Sequence, residues 1–308
     1  MRSIIRAATG LAAVGLLLAL PTTELRAQGT IDQTRTMSRD GTVEVENLAG
    51  FVRVRAWDRN EVRVTGTLGR NVEGVDVEGS SNRVLVRVRH PRRSGSWRGS
   101  GTELEIRMPA GAGLRVEAVS ADIDVEGVGG RLDLESVSGD VDIRNANGRV
   151  RAESVSGTVR YAGSSDELTL AAVSGDVVVS GVNGADIRAS SVSGDVEVEG
   201  GTFQDGTFET VSGSVTFRGA LSRNGRFEFE SHSGRVILDL TGPVNATFEL
   251  STFSGELRGS VGGENVADHV ERTSRWTPGK EGTIRVGDGS ASVEASSFSG
   301  TVEIRQRR

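Results

Sequence analysis

Val-Ser-Gly recurs at 137–139, 155–157, 173–175, 192–194 and 211–213, each time after Ser, Ala or Thr. Looser versions stand on either side, "AVSAD" at 118–122, "SHSGR" at 231–235, "TFSGE" at 252–256 and "SFSGT" at 297–301. A catalytic motif is needed once or twice, whereas a motif spread over half a chain at near-constant spacing describes architecture. Any fold proposed for this chain has to return it to the same local geometry at that interval.

One unit, "GRLDLESVSGDVDIRNAN" (130–147), shows how. Leu132/Leu134 and Val141/Ile143 alternate with polar residues, the period-2 signature of half-buried strands. Two such strands cannot bury an apolar face alone, but stacking each coil on the next supplies both a core and backbone partners. The expected fold is therefore all-β, a single-stranded β-solenoid of about 18–21 residues per coil. Its coils would begin near Gly113, Gly130, Gly148, Asp166, Gly184, Gln204, Asn224 and Asn245. Like residues would pile up about 4.8 Å apart. The step from Leu134 to Val137 is odd, so a change of face is expected near Glu135–Ser136. That would turn Val119, Val137, Val155, Val173, Val192, Val211, His232, Phe253 and Phe298 into one inward column. Gly139, Gly157, Gly175, Gly194, Gly213, Gly234, Gly255 and Gly300 would mark corners that have no room for a Cβ.

The pattern extends in both directions. "GTVEVENLAGFVRVRAW" (41–57) has the shape of a coil, and 61–108 carries alternating runs with longer turns. The expected organisation is a signal segment at 1–27 and an N-terminal extension at 28–40. Irregular N-terminal coils follow at 41–112 and regular repeats at 113–258. An insertion or cap at 259–288 is expected to fold over an open end of the stack, and a final coil follows at 289–308.

Composition agrees with strands and narrows the functions. Aromatics are 4 % of residues, Pro only 5 and Gly 42 of 308, so β-branched and aliphatic residues must build the core. Cysteine is absent, which excludes disulfides, thiolate metal sites and Cys nucleophiles. A net charge of −6 gives no reason to expect nucleic acid or anionic lipid as a partner. Arg2 and Arg6, the apolar run from Ala7 to Leu20, then Pro21 and small Ala27 follow the order of a secretory signal peptide. The apolar run is short for a span of about 20 residues, and no later stretch qualifies. The expectation is an exported chain with no membrane span once the signal is removed, periplasmic, surface-bound or extracellular.

"VEVENLAGFVRVRAWDRNEVRV", "MPAGAGLRVEAVSADIDVEG", the Val-Ser-Gly array and "GDGSASVEASSFSGTVEI", in that order, resemble the bacterial putative adhesin family. The resemblance covers roughly residues 41 to 305. It implies an exported or envelope-associated domain built from β-strand repeats, and supplies no catalytic residues. Ala121 in place of a corner glycine and His232 in the apolar column depart from the pattern.

Chemistry has few places to reside. The residue after each corner reads Asp122, Asp140, Thr158, Asp176, Asp195, Ser214, Arg235, Glu256 and Thr301. Neighbouring carboxylates could hold calcium between coils, with Asp122, Asp140, Asp176 and Asp195 as ligands, or act as the acid and nucleophile of a retaining glycosidase. Capping of turn amides is the simpler reading, because the column also accepts Thr, Ser and Arg. His232 reads as a packed imidazole. No Gly-x-Ser-x-Gly elbow, ordered Ser–His–acid set or phosphate loop is present, and the outward positions are too charged for an ice-binding Thr-x-Thr face. No catalytic residue and no cofactor is therefore assigned. "HPRRSGSWRGSG" (90–101) places Trp97 among Arg92, Arg93 and Arg98, a pairing common at interfaces. The leading expectation is a non-enzymatic, adhesin-like module at the cell envelope that contacts a polysaccharide or a protein. A polysaccharide hydrolase or lyase, and a partner in envelope-stress sensing, are the alternatives.

Overall fold

The computed structural model describes residues 29–70, 72–91, 101–182, 186–201, 203–273 and 278–307. The signal-like segment 1–27 and the loop residues Arg92, Arg93, Trp97 and Arg98 lie outside the described residues.

From residue 113 each coil lays down two short strands. Leu132–Ser136 is followed by Val141–Arg144, and Val150–Ser154 by Val159–Ala162. Strands of one coil pair in parallel with their counterparts above and below. Leu132 stands opposite Leu114 and Val150, and Val141 opposite Ile123 and Val159. The chain is thus an all-β solenoid, as the period predicts. Inward positions alternate along every strand, and Leu132, Leu134, Val141 and Ile143 are completely buried. Farther along the stack the core turns aromatic. Phe203 packs edge-on against Phe208, Phe217 and Phe227 with ring centres 5.7–5.8 Å apart, filling space beside Gly206, where a side chain would collide with these rings.

Thr42–Trp57 is a complete coil whose two halves pair in parallel with the two halves of Gly113–Glu126. Its other edge meets Arg83–Arg89 and Thr102–Pro109, also in parallel. Beyond these the N-terminal region is irregular, with Thr30–Thr36, Glu61–Thr67 and Gly74–Ser80 paired antiparallel. A sheet edge left bare at this end would invite association with other chains, and these strands cover it.

At the opposite end, coil order in space departs from coil order in sequence. Ala291–Ser297 pairs in parallel with both Arg226–Ser231 and Ala246–Thr252, and Thr301–Arg307 with both Val236–Thr241 and Glu256–Val261. The last coil of the sequence is therefore the penultimate rung of the stack. The coil at 246–261 skips one rung, and Lys280–Val286 then pairs antiparallel along its outer edge before the chain turns back to fill the gap. Among the described residues no helix is long and apolar enough to cross a membrane.

The corner reverses one expectation. Val119, Val137, Val155, Val173, Val192, Val211, Phe253 and Phe298 are 43–49 % exposed and point outward. His232 is exposed with them. The residue before each of them is the buried one, as Ser136, Ser154, Ser191, Thr210, Ser231, Thr252 and Ser297. No change of face occurs at Ser136: the alternation Leu132–Leu134–Ser136 runs on, and the chain bends only after it.

A buried hydroxyl needs partners, and the corner supplies them from two coils. Ser154 Oγ donates to the carbonyl of Gly139 in the preceding coil and accepts the amide of Gly157 in its own, both at 2.9 Å. Ser191, Thr210, Ser231, Ser297 and Thr252 make the same inter-coil bond at 2.8–3.1 Å. The corner is tight as a result. A methyl group on Gly157 would lie 2.1 Å from the Gly139 carbonyl oxygen, and one on Gly175 equally close to that of Gly157.

Two substitutions test this corner in opposite directions. Gly175→Ala should lower the denaturant midpoint by an amount equivalent to about 1–3 kcal/mol, the usual cost of forcing atoms into packed space. Ala172 is the one buried corner position among the Val-Ser-Gly coils without a hydroxyl. Ala172→Ser should add the missing bond to Gly157 and raise the midpoint by about 0.5–1.5 kcal/mol. Chemical denaturation followed by circular dichroism reads both, and a stabilising Gly175→Ala would refute the account.

Candidate interaction surface

Because the bend follows the buried hydroxyl, the next residue of every coil is thrust outward at the same point of the cross-section. Backbone bonds hold these residues in register: Val137 N donates to Ala118 O at 3.2 Å and Ser138 N to Val119 O at 2.7 Å, and the pattern repeats upward. The result is one column running Leu48, Val119, Val137, Val155, Val173, Val192, Val211, His232, Phe298, Phe253. Leu48 enters it because Asn47 and Ala49 stand opposite Ala118 and Ser120, and it is partly buried. At the far end the rings of His232, Phe298 and Phe253 stack with nearly parallel planes, neighbouring centres 4.8 Å apart. The six valines and two phenylalanines of the column each keep nearly half of their surface open to solvent.

Both flanks are polar. On one side lies an exposed serine row that includes Ser120, Ser138, Ser156, Ser174 and Ser193. On the other stand Glu117, Glu135 and Glu153, replaced higher up by Ala171 and Ser190 and then by Glu209 and Glu230. Between the acidic flank and the column runs a groove of about 670 Å³, lined by Leu48, Val88, Val119, Val137, Val155 and Val173 together with Glu46, Glu117, Glu135 and Glu153. Most of these acids have an arginine of their own. Glu46 meets Arg87 at 2.6 Å, Glu117 meets Arg115 at 2.9 Å, and Glu153 meets Arg151. The Arg87 hydrogen bond holds the Glu46 carboxyl below its ordinary range against the opposing effect of burial. The groove is thus apolar along its length with a largely neutralised rim.

The aspartates singled out beside the corners fall into a second column. Asp122 Oδ1 accepts the amide of Asp140 at 3.0 Å, and Asp140 Oδ1 that of Thr158 at 2.8 Å. Asp176 Oδ1 accepts the amide of Asp195 at 2.9 Å, and Asp195 Oδ1 that of Ser214 at 2.7 Å. Each carboxylate clamps the backbone of the next coil, and Asp140 also meets Arg160 at 3.1 Å. His269 Nε2 lies 3.2 Å from Glu264 Oε2 in the insertion. His90 lines the groove, and burial lowers its pKa. His232, expected inside, is an outward member of the apolar column.

Two features escaped the sequence reading. The outward column was visible as parity, since Leu132, Leu134 and Ser136 are evenly spaced and Val137 is not. The exposed cluster of Glu209, Glu228 and Glu230, with carboxylate oxygens within 4.8 Å of one another, comes from pairing Glu209 against Glu230 across two coils.

Residues 41–305 match the family described as Toastrack DUF4097. No curated protein matches the chain. Among solved structures, it is similar to a putative adhesin from Bacteroides fragilis at 11 % identity, covering 91 % of this chain and 97 % of that one, with a TM-score of 0.47. A putative adhesin from Parabacteroides distasonis is similar at 12 % identity, with 90 % and 98 % covered and a TM-score of 0.43.

The acidic cluster yields a pH test. Burial, reinforced by the charges of Glu228 and Glu230, pushes the Glu209 carboxyl above its ordinary value. A folded-state pKa raised in this way contributes stability that is present at acid pH and lost as pH rises through it. Glu209→Gln should therefore raise the melting temperature at neutral pH, and the gain should vanish as pH falls through the carboxylate range. A gain that persisted in acid would show that charge is not its cause.

Proposed function

The chain belongs to the Toastrack DUF4097 family, and from that premise we propose that it is an exported, non-enzymatic interaction module of the cell envelope. Its contact element is the outward apolar column. One observation carries this reading: the column stays apolar from coil to coil, His232 apart, while the outward column just past the corner glycine diversifies. Each coil is an independent sample of the same corner. After the corner glycine the samples read Asp, Thr, Ser, Arg and Glu, so an outward place at this bend accepts almost any side chain. Nothing in the backbone requires valine there. A long apolar strip kept in water against the hydrophobic effect marks a surface that meets something else.

The enzymatic alternative rests on Asp176 and Asp195, whose Oδ1 atoms are already engaged with backbone amides. A clamp shared by several coils suits a scaffold better than a single reactive centre. Export is supported by the signal-like order of residues 1–27, and a second contact at Arg92, Arg93, Trp97 and Arg98 is part of the same proposal.

Co-sedimentation with envelope preparations and isolated cell-wall polymers tests the reading. Saturable retention on one fraction is expected, with retention falling about tenfold when Val137, Val155 and Val173 are replaced by Lys, a loss of at least about 1.4 kcal/mol. Replacing Arg92, Arg93 and Trp97 by Ala measures the loop's share. Asp176→Ala and Asp195→Ala should leave retention intact. A protein that stays in solution under every salt condition would sink the proposal.

A further inference from the structure

We infer that the partner of the apolar column is the same column on a second copy of this chain, the two packed face to face about a two-fold axis parallel to the stack. The inference rests on the reading of the column as a contact surface and names what it contacts.

The first argument is pitch. The column repeats once per coil, at about 4.8 Å, and its stacked rings show that spacing directly. An extended peptide laid along it would offer a same-face side chain only every second residue, a spacing of about 6.7 Å. A helix would offer one turn per about 5.4 Å. Either falls out of step within a few rungs. A second solenoid has the identical repeat and stays in register from Leu48 to Phe253. Facing valine columns then interlock as a dry seam, the arrangement that stacked identical strands use between paired sheets.

The second argument is area. Six valines and two phenylalanines, each nearly half exposed, present roughly 600 Å² of apolar surface, the upper end of what a monomer leaves open. With the serine row and the groove walls added, a facing pair approaches the area of a standard stable interface, about 800 Å² per partner.

The third argument is charge, and it selects the axis. The chain is acidic overall, and glutamates stand directly on one flank of the column and serines on the other, with the amide-capping aspartates beyond the corner glycine. An axis parallel to the column places the acidic flank of one copy over the serine flank of its mate. An axis across the column would set acid against acid, with Glu135 facing Glu230 of the mate. In the parallel arrangement every column residue stands near its own counterpart, because rotation about an axis along the stack leaves height in the stack unchanged.

Sedimentation equilibrium of the full chain over a wide concentration range is the first test, and a reversible dimer is expected. Val137→Lys and Val155→Lys should each weaken it about tenfold or more, with circular dichroism unchanged because both side chains point outward. The isosteric Val137→Thr and Val155→Thr, smaller in effect, decide the matter if a lysine variant misfolds. Orientation follows from single thiols, since the chain contains no cysteine. With a short bifunctional thiol reagent, Val119→Cys and Phe253→Cys should each cross-link to themselves. Cross-linking of Val192→Cys without either end would show an antiparallel pair and overturn the proposed axis. A monomer at all concentrations, or a dimer indifferent to the valines, overturns the inference itself. A monomer retained on envelope material through the column would refute the second copy and leave the contact reading standing. A column-dependent dimer with no envelope retention would uphold the second copy and sink only the retention on envelope material.

Discussion

Everything in this solenoid depends on how closely one corner can approach the next. The carbonyl of each corner glycine lies where the following corner would carry a Cβ, and the buried hydroxyl beside it ties the two together. Backbone ladders by themselves do not forbid register slips, although a slip of one residue would turn every inward side chain outward. The corner does not tolerate them: a slip of one residue would bring a side chain against a carbonyl and leave the buried hydroxyl without its acceptor. The repeat Ser-Val-Ser-Gly is therefore a register lock as much as a turn, with the aspartate clamps beside it reinforcing the same spacing from the outside.

The lock explains what the sequence disclosed and what it concealed. Period, strand positions and corner glycines were legible because each depends on local pattern: alternation marks Leu132, Leu134, Val141 and Ile143, and Gly139 recurs where the chain bends. The facing of Val137 was not legible by the same rule, since hydrophobicity argued for the inside and parity for the outside. Hydrophobicity misleads here because the cost of burying Ser136 is removed by partners that local pattern does not reveal, among them a carbonyl from the preceding coil. Once that acceptor is known, a small hydroxyl inside and a valine outside become the consistent choice. The acidic trio at Glu209, Glu228 and Glu230 was hidden for a related reason, as it exists only when two coils are laid side by side.

Coil order at the far end is a further case of tertiary pairing overriding sequence succession. "GSASVEASSFSGTVEIR" has the pattern of any other coil, and pattern alone sets it after the coil at 246–261. Its insertion between two earlier coils follows from Lys280–Val286, which occupies the outer edge of the terminal coil and leaves the skipped rung as the remaining place with unpaired partners on both sides. The arrangement sends two phenylalanines and His232 into one continuous ring stack, though Phe253 and Phe298 are far apart in sequence. Closure of the stack thus waits on the last residues of the chain.

The apolar column is a geometric consequence of the same lock, and this is why it is so regular. A bend that buries one residue and removes the Cβ of another necessarily thrusts forward the residue between them, once per coil and always at the same point. The varied column just past the corner glycine shows that an outward place at this bend can take other chemistry. Filling it with valine in coil after coil converts a structural by-product into a straight apolar edge with the pitch of the backbone itself. Such an edge discriminates by repeat distance more than by shape, and a surface with the same backbone repeat meets it at every rung. A solenoid that reads repeat distance in this way recognises its own kind through the feature that makes it a solenoid.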